Sequence, residues 1–576
     1  MNNARRENKQ FRIVAAFAVA LVALSFSLTA PALAQSCTDS WTGADGNNQW
    51  NDPNNWSTGS VPGSSDSACV LLSGAAVNQT NNQDSVANLT LGSTDSFTLS
   101  NVPNTNNGFF VDGTFIVNNG QIIIPYNPSN QTGTNLALTS GGNVTLSGTG
   151  SIVITNGSGI TGAGPGGTLV NQSTITGGGG IENDMALNNQ STGIINANVS
   201  GVPLIVGRIG SSTNTGLLEA TGGGQLVMGS LLLNNVGGTI QASGANSYVL
   251  LEGEGAGGEN FTGGTWTTAN GGLIQVVDST VLLDGTNGNT ITNSGTIQVV
   301  DGAVHPGANI QGTINNTGSI QLLSKGSQFG INIPSGQTFT LSGSGSLTMG
   351  DGTSNAYNNN NNISGTGIFA NQQLLQGTGS INNLGGFTNT GTVNANIPVG
   401  TNGLQLVIYR TGTTSNTGTL EATKGGGLFM QTVGIDNQGG TVKAVGKGSY
   451  VNLNAMTLSG GKISDSGGGV IYSEQGAIID GATDGPVTIT GAIQIPVSGN
   501  NGGGQFQGAV TNNGTIQGIG SGITNTGSIG TTNSGGITNS TSATIKMENA
   551  KYQFSLDVGR FPNMEKTLIT IRAEDK

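Results

Sequence analysis

From about residue 80 onward, short runs in which Val, Ile, Leu or Phe alternate with polar residues recur between clusters of Gly, Asn, Ser and Thr. A two-residue period puts the apolar positions on one side of a strand, and the polar clusters supply the turns. One phrase returns throughout: "NSGTIQV" (293–299), "NNTGSIQL" (315–322), "NTGTVNA" (389–395), "NTGTLEA" (416–422), "NNGTIQG" (512–518) and "NTGSIG" (525–530). Each reads as a corner followed by a strand. Asn and Gly accept the left-handed backbone of a tight turn, while Thr and branched residues suit a half-buried pleat. No stretch after the N-terminal apolar run keeps a 3.6-residue period, so the pattern predicts almost no helix.

A longer repeat is laid over the short one. "NTGLLEATGGGQLVM" (214–228) matches "NTGTLEATKGGGLFM" (416–430), and "NNVGGTIQASGANSYVLL" (234–251) matches "DNQGGTVKAVGKGSYVNL" (436–453). The duplicated spans are 165–285 and 365–481, with small changes of shift where loops gained residues. Core positions that persist while corners take insertions belong to coiled strand arrays. The expected fold is all-β: a right-handed, single-stranded parallel β-helix, or β-solenoid, over 81–545. At about 4.8 Å per coil it makes a rod of about 100 Å with on the order of 20 coils.

Both ends depart from this texture. Residues 1–34 combine a basic start, an apolar run and an A-L-A site, the pattern of a cleaved secretory signal peptide. No later segment approaches the ~20 apolar residues of a membrane span, so no integral span is expected after cleavage. Residues 35–80 hold the chain's two cysteines, Cys37 and Cys69, and three of its four tryptophans, Trp41, Trp50 and Trp56. An exported chain meets an oxidising compartment, which favours a Cys37–Cys69 disulfide. For the tryptophans, a cap that plugs the open first coil is preferred to a platform that stacks on sugar rings, because the window leads directly into the first strand. Residues 546–576 are dense in charge, and "YQFSLDV" and "TLITIRA" read as a C-terminal capping hairpin.

The "N-x-G-[TS]-[IVL]" phrase and the Gly/Asn/Thr bias resemble the β-helical surface and secreted proteins of Gram-negative bacteria, including autotransporter passengers and filamentous-haemagglutinin-like adhesins. The opening "W…GNNQWNDPNNWSTGSVPGSSDSACVLL" is similar to the leader segment of such chains. The resemblance implies an adhesin-like or structural role at the cell surface, the outer membrane or outside the cell. It departs in lacking a C-terminal barrel like that of a self-transporting autotransporter.

Composition narrows the function. With a net charge of -12 and 100 glycines in 576 residues, the chain lacks the clustered cations that nucleic acid demands. The expected partner is an extracellular polysaccharide, a matrix or another cell, met by an extended polar surface without catalysis. A carbohydrate-active lyase or hydrolase is the alternative, which needs convergent carboxylates beside Arg or Lys. Its candidates are Glu252, Glu254, Glu259, Asp278, Asp284, Asp301 and the single His305, all expected at solvated corners. Arg208 and Glu219 stand eleven residues apart, as do Arg410 and Glu421, and Asp278 and Asp284 find Glu474 and Asp480 in the second copy. Duplicated pairs suit structure better than a single active site, so Arg208–Glu219 and Arg410–Glu421 are expected as ion pairs between neighbouring coils, worth ~0–1 kcal/mol if exposed. No cofactor is expected. Calcium is the one metal with a pattern, in "DGNNQWND" (45–52) and "DGTNGN" (284–289), though neither has the closing Glu of a calcium loop.

Overall fold

A computed structural model describes residues 36–548, apart from residues 82, 101–106, 127–132, 140, 163–165, 184, 254–257, 301–306, 324–329, 351–360, 400–404, 497–503, 520–529, 533–536 and 540–543. The expected signal peptide, Glu254, Asp301, His305 and the expected C-terminal hairpin lie outside the described residues. Within them the fold is an all-β parallel solenoid, and its single helical turn is Pro53–Asn55.

Three parallel ladders run along the solenoid, one on each face. The third holds twenty strands among the described residues, while the first and second form a network of 41. They join because the nine-residue strand Ala308–Asn316 pairs on both, through Asn309 with Asn332 and through Thr313 with Thr340. Ladder strands already occur inside the stretch assigned to the cap, at Ser67–Val70 and Ala76–Asn78, and the last described strand is Thr544–Glu548.

Alternation along each strand sends one set of side chains inward, and parallel register stacks that set coil upon coil. On the third face Ile181, Val206, Met228, Leu251 and Val276 follow one another in register, and each is fully buried. Every such side chain contributes roughly 1.5–3 kcal/mol by leaving water.

The Asn of the recurring phrase also points inward. Nδ2 of Asn171 donates to Oδ1 of Asn189 (2.8 Å), Asn189 to Asn214 (2.7 Å), and Asn214 to Asn235 (2.6 Å). A second run links Asn371, Asn389, Asn416 and Asn437 at 2.8, 2.7 and 2.7 Å. These amides are fully buried, and the ladder meets their need for partners by repetition. The glycine two residues on has a steric cause: a Cβ at Gly216 would lie 2.2 Å from the Gln190 carbonyl oxygen in the coil below.

The duplicated copies do not occupy the same faces. Leu217–Thr221 pairs with Thr239–Ser243 on the second face, whereas its counterpart Thr419–Thr423 pairs with Thr441–Val445 on the third. Gln225–Gly229 lies on the third face and its counterpart Gly427–Gln431 on the first. The cause is one extra strand. An ordinary coil has three strands between corners, such as Leu217–Thr221, Gln225–Gly229 and Leu232–Asn234. Four strands, Gly264–Ala269, Leu273–Val276, Leu282–Gly285 and Ile291–Asn293, precede the next N-x-G-T corner, so that corner arrives one face late. The second copy ends the same way, with Gly461–Ser466, Val470–Glu474, Ala477–Gly481 and Val487–Ile489. Each copy is thereby turned by one face about the rod.

Candidate functional site

The N-terminal tryptophans close the rod. Asp39–Ser40 adds to the first ladder beside Ala68–Cys69, and Cys37 is bonded to Cys69 across 32 residues of sequence. Trp41, Trp50 and Trp56 are 5%, 0% and 3% exposed. Trp50 lies over the first coil, 4.7 Å from the Phe97 ring and 5.1 Å from that of Phe109, and its carbonyl accepts a 2.7 Å hydrogen bond from Trp56 Nε1. The indoles face the interior, where no sugar ring reaches them. The preferred reading as a cap agrees with this geometry.

The expected ion pairs are replaced. Arg208 follows the third-face strand Pro203–Gly207, whereas Glu219 points outward from the second face. In the second copy Glu421 binds Lys443, Oε2 to Nζ at 2.8 Å, and Arg410 lies 4.6 Å from the centroid of its neighbour's ring, Tyr409. Spacing along the chain mispaired them because eleven residues carry the chain to another face, while true neighbours sit one coil apart in register, as Glu421 and Lys443 do. Without a lysine in that register, Glu219 faces Gln241, and burial pushes its carboxyl up from the ordinary 4.5.

The carboxylates considered for catalysis are mostly corner hardware. Glu259 and Asp278 are buried, contrary to the solvated corners expected of them: the Thr280 hydroxyl donates to Glu259 at 2.7 Å, and its backbone N–H donates to Asp278 at 2.8 Å. Asp284 and Asp480 are counterparts, each accepting from the backbone N–H two residues on, at 2.9 and 2.7 Å. Burial works to raise both carboxyls, but hydrogen bonds from Thr286, Gln311 and Asn260, and from Thr483, Ala482 and Gln507, outweigh it and hold them below their usual range. Glu474 accepts from Asn452 Nδ2 at 3.0 Å. In the 45–52 loop Asn47 Nδ2 donates to Asp45 at 3.0 Å and to Asp52 at 2.5 Å, and no group of three or more His, Cys, Asp or Glu able to hold a metal occurs among the described residues.

Two patches on the outer walls stand out, one per copy. On the first face of the second copy, Val407, Phe429, Asn452 and Tyr472 follow in register, flanked by Tyr409 on one side and Tyr450 on the other. Phe429, Tyr409, Tyr450 and Tyr472 are partly exposed, although Phe97, Phe109, Phe261, Phe339, Phe369, Phe387 and Phe506 are all buried. The Tyr450 and Tyr472 rings meet edge to face at 6.1 Å, and the Tyr450 hydroxyl accepts a hydrogen bond from Gln405. Gln431 and Glu474 provide a polar border, with Asn454 buried between them in register. On the third face of the first copy, an open cavity of about 200 Å³ lies among Glu182, Arg208, Glu252, Ile205, Val227, Gly207 and Gly229. Of these only Glu252 and Arg208 were singled out from sequence. The aromatic strip carried a signal in the outward positions of "LVIY", "GLFMQ", "YVNLN" and "VIYSE", where Tyr and Phe stand in place of the usual polar residues.

The fold defines a class, a parallel β-solenoid with a disulfide-stapled N-terminal cap. No protein-family model matches the chain, and no curated protein matches it. Among the described residues no helix is long and apolar enough to cross a membrane.

Proposed function

We propose that the chain is an exported, adhesin-like β-solenoid that binds extracellular polysaccharide along its walls and does not cleave it. The observation that carries this reading is the strip of Tyr409, Phe429, Tyr450 and Tyr472, four partly exposed rings on one flat face. An aromatic ring offers its π face to the apolar C–H side of a sugar, and the phenol and neighbouring amides serve the hydroxyls. Successive rungs repeat every ~4.8 Å along the rod, which suits an extended polymer lying along the axis. The disulfide is compatible with an oxidising compartment, and the signal-peptide pattern gives the route of export.

The test is to incubate the purified mature chain with neutral and acidic polysaccharides, recording retention and chain cleavage together. Retention without cleavage is expected, and the double substitution Phe429→Ser with Tyr472→Ser weakens it by about tenfold or more, since each tenfold is ~1.4 kcal/mol. Cleavage of any polymer would overturn the display reading and favour an enzyme working at Glu182 and Glu252. Undiminished retention by the double variant would remove the strip from the reading.

A further inference from the structure

The third-face cavity lies in the first copy. Its floor is a register column, Glu182, Gly207, Gly229 and Glu252 on four successive coils, with the two glycines leaving the space between the carboxylates empty of side chains. The corresponding column of the second copy is Asn382, Tyr409, Gln431 and Asn454. There the floor is filled and both carboxylates have become amides. Arg208 and Arg410, by contrast, are kept in both copies with the same left-handed backbone, at φ 52 and 48. One backbone design thus carries a walled cavity on one face and a filled aromatic surface on another.

We infer that this cavity is a second polymer-binding site and takes one neutral saccharide unit. The donor set selects the ligand. A lone cation entering between Glu182 and Glu252 meets the Arg208 guanidinium, and a lone anion drawn to Arg208 meets two carboxylates. An uncharged ligand rich in hydroxyls can add to the contacts that all three already make, because a hydroxyl donates to carboxylate and accepts from guanidinium. Ile205 and Val227, outward-facing and adjacent in register, present an aliphatic strip to the C–H side of a ring. The glycines let that ring approach the backbone closely. A volume of about 200 Å³ is below the ~300–1,000 Å³ of a pocket that encloses a drug-sized ligand, and it opens on the wall, so it holds one unit of a chain that continues along the rod. The inference rests on the polysaccharide reading for its class of ligand, but on none of the same residues.

The second copy supplies the variants. Gly207→Tyr with Gly229→Gln fills the floor with residues that the same backbone already carries at 409 and 431. Because a Cβ at Gly207 comes 2.5 Å from the Gly229 carbonyl oxygen, a second variant, Glu182→Asn with Glu252→Asn, removes the charges and leaves the floor untouched. The mature chain and its variants are titrated calorimetrically with β-1,4-linked hexasaccharides of glucose and of N-acetylglucosamine. Two sites per chain are expected. The filled variant should keep one, and the amide variant should weaken that same site at least tenfold, while Phe429→Ser with Tyr472→Ser should abolish the other. If both cavity variants bind with the stoichiometry and affinity of the parent, the cavity is no saccharide site, and loss in the strip variant alone would leave the first reading standing. Loss confined to the cavity variants would support the cavity and overturn the strip. Binding of neither hexasaccharide by the parent chain overturns both.

Discussion

Glu219 and Glu421 are the same residue in two copies, and their neighbours set them apart. Lys443 answers Glu421 at 2.8 Å, whereas Gln241 stands in register with Glu219, whose carboxyl burial has pushed up. A carboxyl raised in the folded state holds an extra proton there, so its effect on stability is most favourable below the ordinary 4.5 and is lost as pH rises through the raised value. Gln241→Lys should therefore remove that loss and add ~0.2–1 kcal/mol at neutral pH, seen as slower hydrogen exchange of the Leu217–Thr221 strand at pH 7 and little change at pH 4. The inward asparagines make a harsher case. Asn189 accepts from Asn171 and donates to Asn214, so Asn189→Ala strands the Asn171 Nδ2 donor in the coil below and leaves the Asn214 oxygen in the coil above with only the Gly216 N–H. A stranded buried group costs ~1–3 kcal/mol, and the loss should appear in denaturant unfolding as early melting of the first copy while the second, with its own run through Asn389, persists.

At the level of elements, the N-terminal plug and the strands were legible in the sequence because their causes are local. Alternation marks a strand, N-x-G marks a corner, and three tryptophans between two cysteines mark a plug. The plug protects an edge that would otherwise recruit other strands. Opening it through Cys37→Ser with Cys69→Ser should destabilise the first coils by ~2–4 kcal/mol, read as faster exchange in the Ser67–Val70 and Asn88–Leu91 strands and a gain of concentration-dependent association. The pairing of side chains across coils was much less legible. Contacts in a solenoid join residues about one coil apart, and coil lengths vary: Asn171 reaches Asn189 over 18 residues and Asn189 reaches Asn214 over 25. A fixed spacing such as the eleven residues from Arg410 to Glu421 therefore selects the wrong neighbour. The aromatic strip escaped for the same reason, since Tyr409, Phe429, Tyr450 and Tyr472 are scattered in sequence and gathered only by register.

For the whole molecule, the fold class could be read from repetition, but the turn between copies could not. Its trace was present: between the corner at Gly264 and that at Gly295 the sequence holds one more apolar run than any interval around Asn214 or Asn235. One additional strand shifts everything after it by a face. The azimuth of a binding patch is consequently fixed by how many units precede it. A polymer on the first face of the second copy and another in the cavity of the first would run along different sides of the rod, and the protein would then hold two chains parallel about its axis instead of splinting one. Lengthening the gene by whole units would change heading as well as reach, and only after three units would a patch look out again over the side from which it began.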